Sequence, residues 1–218
     1  MFTKSNKIYY TVFKYSHESQ MESFNSYISD IENKFISDVE ALSKSYDEHV
    51  KNLPGDIDYM ETVNEYFGEQ HSEIMHQTNN IFRRSVVSSL YSQLETSLEN
   101  ITKTALKIKG KTLTERKEGS IIDHYKKNLE KNGIVDFSTI QNEWSFICDA
   151  REIRNNIIHS NGKIPLDNKK KPILIAIENK KIGISINNLE IKIEREYLTN
   201  LSSNIDKTLK YVIEGAFK

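Results

Sequence analysis

Residues 17–52 place Met21, Phe24, Ile28, Ile31, Phe35, Val39 and Leu42 at steps of three or four, a spacing that an α-helix turns onto one side. The stripe is narrow and the residues between are polar or charged, so this long amphipathic helix lays one edge on a neighbour. Leu53-Pro54-Gly55-Asp56 then breaks it, because Pro and Gly punctuate helices. A second stripe runs through Ile74, Ile81, Phe82, Val86, Leu90, Leu94, Leu98, Ile101, Ala105 and Ile108. It predicts a helix from about Asp58 to Lys109, kinked near Gly68 and capped by Gly110. A shorter helix follows Thr114, with Ile121, Ile122, Tyr125 and Leu129 inward and Asn132-Gly133 as its stop. The next starts at Ser138 as N-cap, buries Ile140, Trp144, Ile147, Ile153 and Ile157, and ends at Asn161-Gly162.

The period then changes. Ile173, Ile175 and Ile177, then Ile182, Ile184 and Ile186, then Ile191 and Ile193 alternate with other residues. β-Branched residues at period two read as strands, placing a small antiparallel hairpin or meander at about 172–194. A last helix covers about Glu196 to Phe217, with Leu198, Leu201, Ile205, Leu209 and Val212 inward. The expected fold is mainly α: an antiparallel helical bundle with a β-insert before its C-terminal helix.

Composition narrows the function classes. No apolar run approaches the roughly 20 residues that span a bilayer, and Met1 to Lys7 lacks the apolar core of a signal peptide. The expectation is a cytoplasmic protein with no membrane partner. Cys148, the single cysteine, excludes an internal disulfide and a multi-cysteine zinc site. His71 and His76 lack a third ligand at helical spacing, and no phosphate-binding glycine loop is present, so neither a metal nor a cofactor is expected. Charge is uneven. Residues 17–73 hold 14 Asp/Glu against Lys34, Lys44 and Lys51, a net of −11, whereas residues 74–218 carry a net of +7. An acidic front and a basic back repel a polyanion from one side and admit it on the other; ordinary solvated helix faces are the alternative.

The segment from Arg151 to Gly162 carries the chemistry. Arginine offers a permanently charged fork that matches phosphate geometry, and histidine titrates where proton transfer near neutral pH needs it. Arg151, Arg154, Asn155, Asn156 and His159 fall on the last turns of one helix.

The stretch Arg154-Asn155-Asn156-Ile157-Ile158-His159 resembles the Arg-x4–6-His signature of the HEPN (higher eukaryotes and prokaryotes nucleotide-binding) domains, with a polar residue after the arginine. The flanking residues Ala150 to Ile153 and Ser160 to Gly162 are similar too, as is the earlier helix Val86 to Glu95 with its tyrosine and glutamate. The resemblance covers roughly residues 74–218 and leaves 1–73 as an acidic helical extension. It implies a bundle that dimerises across the motif helix. Many such domains are metal-independent ribonucleases of phage defence, toxin–antitoxin pairs and RNA-stress systems; others have lost activity and serve as binding modules.

RNA transesterification needs a base for the 2′-hydroxyl proton, an acid for the leaving oxygen and positive charge for the phosphorane. One chain supplies one motif histidine; a two-fold dimer supplies two. In this scheme His159 is the acid/base, Arg154 stabilises the phosphorane and Asn155 orients phosphate or imidazole. Arg151 holds a flanking phosphate, and Lys109, Lys111, Lys169, Lys170 and Lys171 track the backbone. Structural roles compete: ion pairs with Asp149 or Glu152 for the arginines, a C-terminal capping cation for His159, solubility for the lysines. The expectation is therefore a homodimeric endoribonuclease acting on RNA as a toxin or antiviral effector, with an antitoxin or other defence protein as possible partner. The alternatives are an inactive HEPN module for RNA or nucleotide binding or dimerisation, and an interaction protein that recruits its partner through the 17–52 helix.

Overall fold

The computed structural model describes residues 4–52, 57–164, 172–179 and 182–218. It is mainly α, with one two-stranded antiparallel hairpin before the C-terminal helix. Among the described residues no helix is long and apolar enough to cross a membrane.

The helix α1 (Lys4–Lys51) begins well before the heptad, and at 48 residues reaches about 70 Å. Tyr10, Phe13, His17 and Met21 extend its inward edge, Phe13 stacking on Phe217 at 5.0 Å between ring centroids. Its first half lies antiparallel to α7 (Arg195–Phe217), joined by His17 Nε2 to Asp206 Oδ1 at 2.9 Å and Ser202 Oγ to Asn25 Oδ1 at 2.7 Å. Met21 and Ile28 thus belong to the same core as the bundle. The centre of that core is α3 (Asn79–Ile108) against α7: Leu90, Leu94 and Leu98 meet Leu201, Ile205 and Leu209, all fully buried. Each such leucine contributes about 2 kcal/mol of burial. The helices α4 (Ile121–Lys131) and α5 (Gln141–Ser160) close the remaining sides.

Four local expectations need correction. The helix between residues 57 and 108, expected to kink near Gly68, departs from regular α winding just beyond it. It runs as α2 (Ile57–Ser72), a π turn (Glu73–Thr78) and α3. A π turn shifts the helix face, so α2 can face α1 while α3 faces the core. Ile81 and Ile108, expected inward, are exposed; Asn80 and Arg84 take the inward positions instead. The start before α5 is capped by Asp136, whose carboxylate accepts the Ser138 N–H at 2.9 Å, and a 3-10 turn (Phe137–Ile140) precedes the helix. Finally, the stretch containing Ile173, Ile175 and Ile177 is helical, α6 (Pro172–Asn179). Leu174 and Ala176 are also apolar, so the run never alternated. Pro172 suits a first helical turn, and Ile173, Ala176 and Ile177 are buried at helical spacing.

The hairpin itself is as expected, though shorter. β1 (Ile184–Asn187) pairs with β2 (Glu190–Ile193) in the register Ile184 with Ile193 and Ile186 with Ile191. Asn188 and Leu189 both have positive φ at the two-residue turn, the conformation that matches strand twist.

Candidate functional site

Ile147, Ala150 and Ile153 turn α5 onto the core with no exposure. At about 100° per residue, Arg154 projects in the same direction as that buried face, between Ile147 and Ala150, and is half-buried at its C-terminal end. Arg151, Asn155, Ile158 and His159 follow on its open arc. Arg154 and His159 diverge by about 140° beyond a full turn, so the two do not share one direction within a protomer.

Arg154 leans toward α3. Its Nη1 donates to Asn155 Oδ1 at 3.2 Å, its Nη2 is 3.9 Å from Glu95 Oε2, and its guanidinium carbon lies 5.8 Å from the centroid of the Tyr91 ring. Tyr91 and Glu95, one turn apart, therefore form the wall beside the motif arginine. Burial raises the Glu95 carboxyl above its ordinary range, against the pull of Arg154. Burial likewise keeps the Tyr91 phenol protonated at all ordinary pH. Two polar atoms here, Arg154 Nε and Tyr91 Oη, are buried without a hydrogen-bond partner.

Arg151 is committed to carboxylates. It donates from Nη1 to Asp123 Oδ2 at 2.9 Å and from Nε to Glu152 Oε1 at 3.0 Å. Asp123 is held in turn by the first turn of α4, where Ser120 caps its N–H and donates to its carboxylate at 2.6 Å. Cys148, half-buried on the same helix, has its thiol pushed up to about 11 by burial, as suits a packed sulfur rather than a nucleophile.

His159 is exposed on the last turn of α5. The helix stops immediately after it, with Asn161 in the left-handed region at φ 49° and Gly162 at φ 75°. Asn156 Nδ2 donates to Lys163 O at 3.0 Å and ties down the chain beyond the stop.

The underside of this stop is held by side chains whose part was not legible in the apolar pattern. Arg84, 7% exposed, donates from Nη1 to Asn161 O at 3.0 Å and from Nη2 to Ile191 O at 2.8 Å. Asn80 imitates a strand edge: its Nδ2 donates to Ile191 O at 3.0 Å, and its Oδ1 accepts the Ile193 N–H at 3.2 Å. Arg83 forks onto Glu32 at 2.7 and 2.8 Å and also donates to Ile193 O at 3.1 Å. The start of α3 thereby clamps the α5 terminus, the hairpin and α1 together. The available signal was polar residues at 79, 80, 83 and 84 breaking an otherwise apolar face.

The structure thus groups Arg151, Arg154, Asn155 and His159 on α5 and adds Tyr91, Glu95 and Asp123. It keeps Lys109 and Lys111 apart from them. Lys109 follows Glu95 by fourteen residues on the same helix, about 20 Å. Its Nζ donates to Gly133 O at 3.2 Å and Asn132 O at 3.4 Å beyond the end of α4, and Lys111 is exposed past α3. Lys169, Lys170 and Lys171 lie outside the described residues. His76, exposed on the π turn, has Nδ1 2.9 Å from Lys192 Nζ. No family model, no curated protein and no solved structure matches this chain.

Proposed function

We propose that the chain is a HEPN-type endoribonuclease that cleaves RNA by attack of the 2′-hydroxyl at a site completed by a second protomer, in the manner of a toxin or antiviral effector. The observation that carries this reading is the guanidinium of Arg154. It lies at the rim of the core, bonded to the Asn155 amide and backed by the Tyr91 ring, with His159 exposed little more than one turn further on. A phosphate reaching Arg154 exchanges the Glu95 carboxylate, 3.9 Å from Nη2, for a shorter charge-assisted pair. The divergence of Arg154 and His159 on α5 is the reason a second copy is needed: a two-fold axis beside the helix brings in the partner's arginine and imidazole. One imidazole removes the 2′-proton, the other protonates the 5′-oxygen, and the guanidinium groups meet the charge of the phosphorane. The products end in a 2′,3′-cyclic phosphate and a 5′-hydroxyl.

The experiment is incubation of total RNA with wild-type protein, His159→Ala and Arg154→Ala in EDTA, with sedimentation of each protein. Cleavage by the wild type alone, with all three dimeric, supports the reading; cleavage retained by His159→Ala removes it. A module that binds RNA or dimerises without cleaving is the second reading. It is favoured by the carboxylates of Asp123 and Glu152 on Arg151 and Glu95 beside Arg154, which a substrate must displace. It gives salt-dependent RNA binding with no products.

A further inference from the structure

The outer half of α1 and all of α2 form a two-helix arm that the nuclease reading does not use. Among the described residues, α2 packs substantially only against α1 and the π turn. Its seam is thin. Val63 and Phe67 are buried, with Phe67 set edge-on to Tyr46 at 5.4 Å, and the Tyr46 hydroxyl donates to Asn64 Oδ1 at 2.8 Å. The α1 residues opposite, Val39, Leu42 and Tyr46, are only half-buried. Along one side the seam opens into a groove lined by Val39, Leu42, Ser43 and Tyr46 of α1 and by Asn64, Phe67, Gly68 and His71 of α2.

Gly68 is the informative residue. It sits inside a helix, where glycine is among the worst formers. Its φ is not in the left-handed region, and a Cβ placed on it would meet nothing within 4 Å. Neither backbone conformation nor packing within the chain calls for glycine there. What its missing side chain provides is an open floor at which another backbone or a large side chain can approach closely.

The rims state the chemistry of what approaches. By helical register Glu40 and Asp47 on α1, and Glu61 and Glu65 on α2, border the groove, and all four are exposed. Between residues 35 and 72 the sequence holds nine Asp/Glu and two Lys. Two such arms repel one another, so charge disfavours groove-to-groove pairing of copies.

We infer that this groove receives an amphipathic helix of another protein, its apolar stripe seated over Leu42, Tyr46 and Gly68 and its flanks rich in Lys and Arg, so that the arm becomes a three-helix bundle. Apolar residues supply affinity and the acidic rims select a basic partner.

The test uses the full chain and a fluorescein-labelled model helix of roughly 18 residues, with leucines at heptad positions and lysines elsewhere. A second probe replaces every lysine by glutamate. Anisotropy should rise with the lysine probe and not with the glutamate probe. Gly68→Leu should weaken binding by about tenfold or more, with the helical circular dichroism unchanged. Reversing the rim with Glu61→Lys and Glu65→Lys should weaken it as well. The inference fails if the lysine probe does not bind at about 100 µM, or if Gly68→Leu leaves its affinity untouched, since the contact is then charge alone. It also fails if the chain self-associates through the arm and Gly68→Leu abolishes that association, which assigns the groove to a second copy. RNA cleavage is not read in any of these arms, so the outcome is independent of the nuclease proposal.

Discussion

Replacing Gly162 by alanine tests how the end of the motif helix is held. Gly162 has φ 75°, and a Cβ there would stand 2.5 Å from Arg84 Cζ and 2.8 Å from its Nε and Nη2. A non-glycine residue in the left-handed region costs about 1 kcal/mol. The guanidinium is the far end of a flexible side chain, but it is buried and fastened to the carbonyls of Asn161 and Ile191. Hydrogen bonds from a charged donor are each worth about 1.5–3 kcal/mol. Losing one of them outright and straining the other adds about 2–3 kcal/mol, for a total of about 3–4 kcal/mol. Gly133→Ala is the control: its φ is 59° and its surroundings are open, so only the backbone cost of about 1 kcal/mol applies. Urea unfolding followed by circular dichroism measures both. In an Arg84→Met background the alanine at 162 should again cost only about 1 kcal/mol, because the obstacle has gone. If Gly162→Ala costs no more than Gly133→Ala in the wild-type background, the clamp by Arg84 is refuted.

Three further outcomes follow from the geometry. Glu32→Ala removes the two-pronged partner of the largely buried Arg83 guanidinium, which keeps only Glu194 and the Ile193 carbonyl, both on Nη1, and should cost about 2 kcal/mol in the same unfolding assay. Burial of His17 lowers its pKa below the ordinary 6.5 despite the pull of Asp206. The folded state therefore prefers the neutral ring, and the stability it contributes is fully present above the ordinary 6.5 and is lost as the pH falls from there through the lower folded-state pKa. The urea midpoint should drop between pH 7 and 5, and His17→Gln should flatten that drop; an unchanged slope would count against it. On the ribonuclease proposal, Glu95→Gln, which removes the carboxylate beside Arg154, should tighten RNA binding by about two- to tenfold without unfolding the bundle; filter binding at fixed salt decides, and weaker binding would mean that Glu95 positions the arginine instead of competing for it.

The helices were legible because their apolar periods are long and regular. The stripe from Val86 to Ala105 and the final helix from Leu198 to Val212 lie where expected, and the Ile184–Ile193 hairpin survives. Errors fell where local patterns were degenerate. The run Pro172-Ile173-Leu174-Ile175-Ala176-Ile177 satisfies helix and strand alike, and its packing on α5 decided for helix. The π turn at Glu73–Thr78 has no signature in hydropathy, since it answers the need to re-aim a helix between two neighbours. Inward polar residues such as Asn80 and Arg84 are misread by any apolar pattern, because their partners are carbonyls more than seventy residues away in sequence.

For the candidate site, the sequence by itself determined that Arg151, Arg154, Asn155 and His159 share the end of one helix, since spacing along a helix is local and a glycine stop is visible in the text. Only the tertiary structure decided their company: Tyr91 and Glu95 beside Arg154, Asp123 on Arg151, Arg84 beneath the helix stop, and Lys109 about 20 Å down α3. The reason is physical. Which charges meet across helices depends on crossing, register and burial, and those are set by the whole core rather than by the residues that meet.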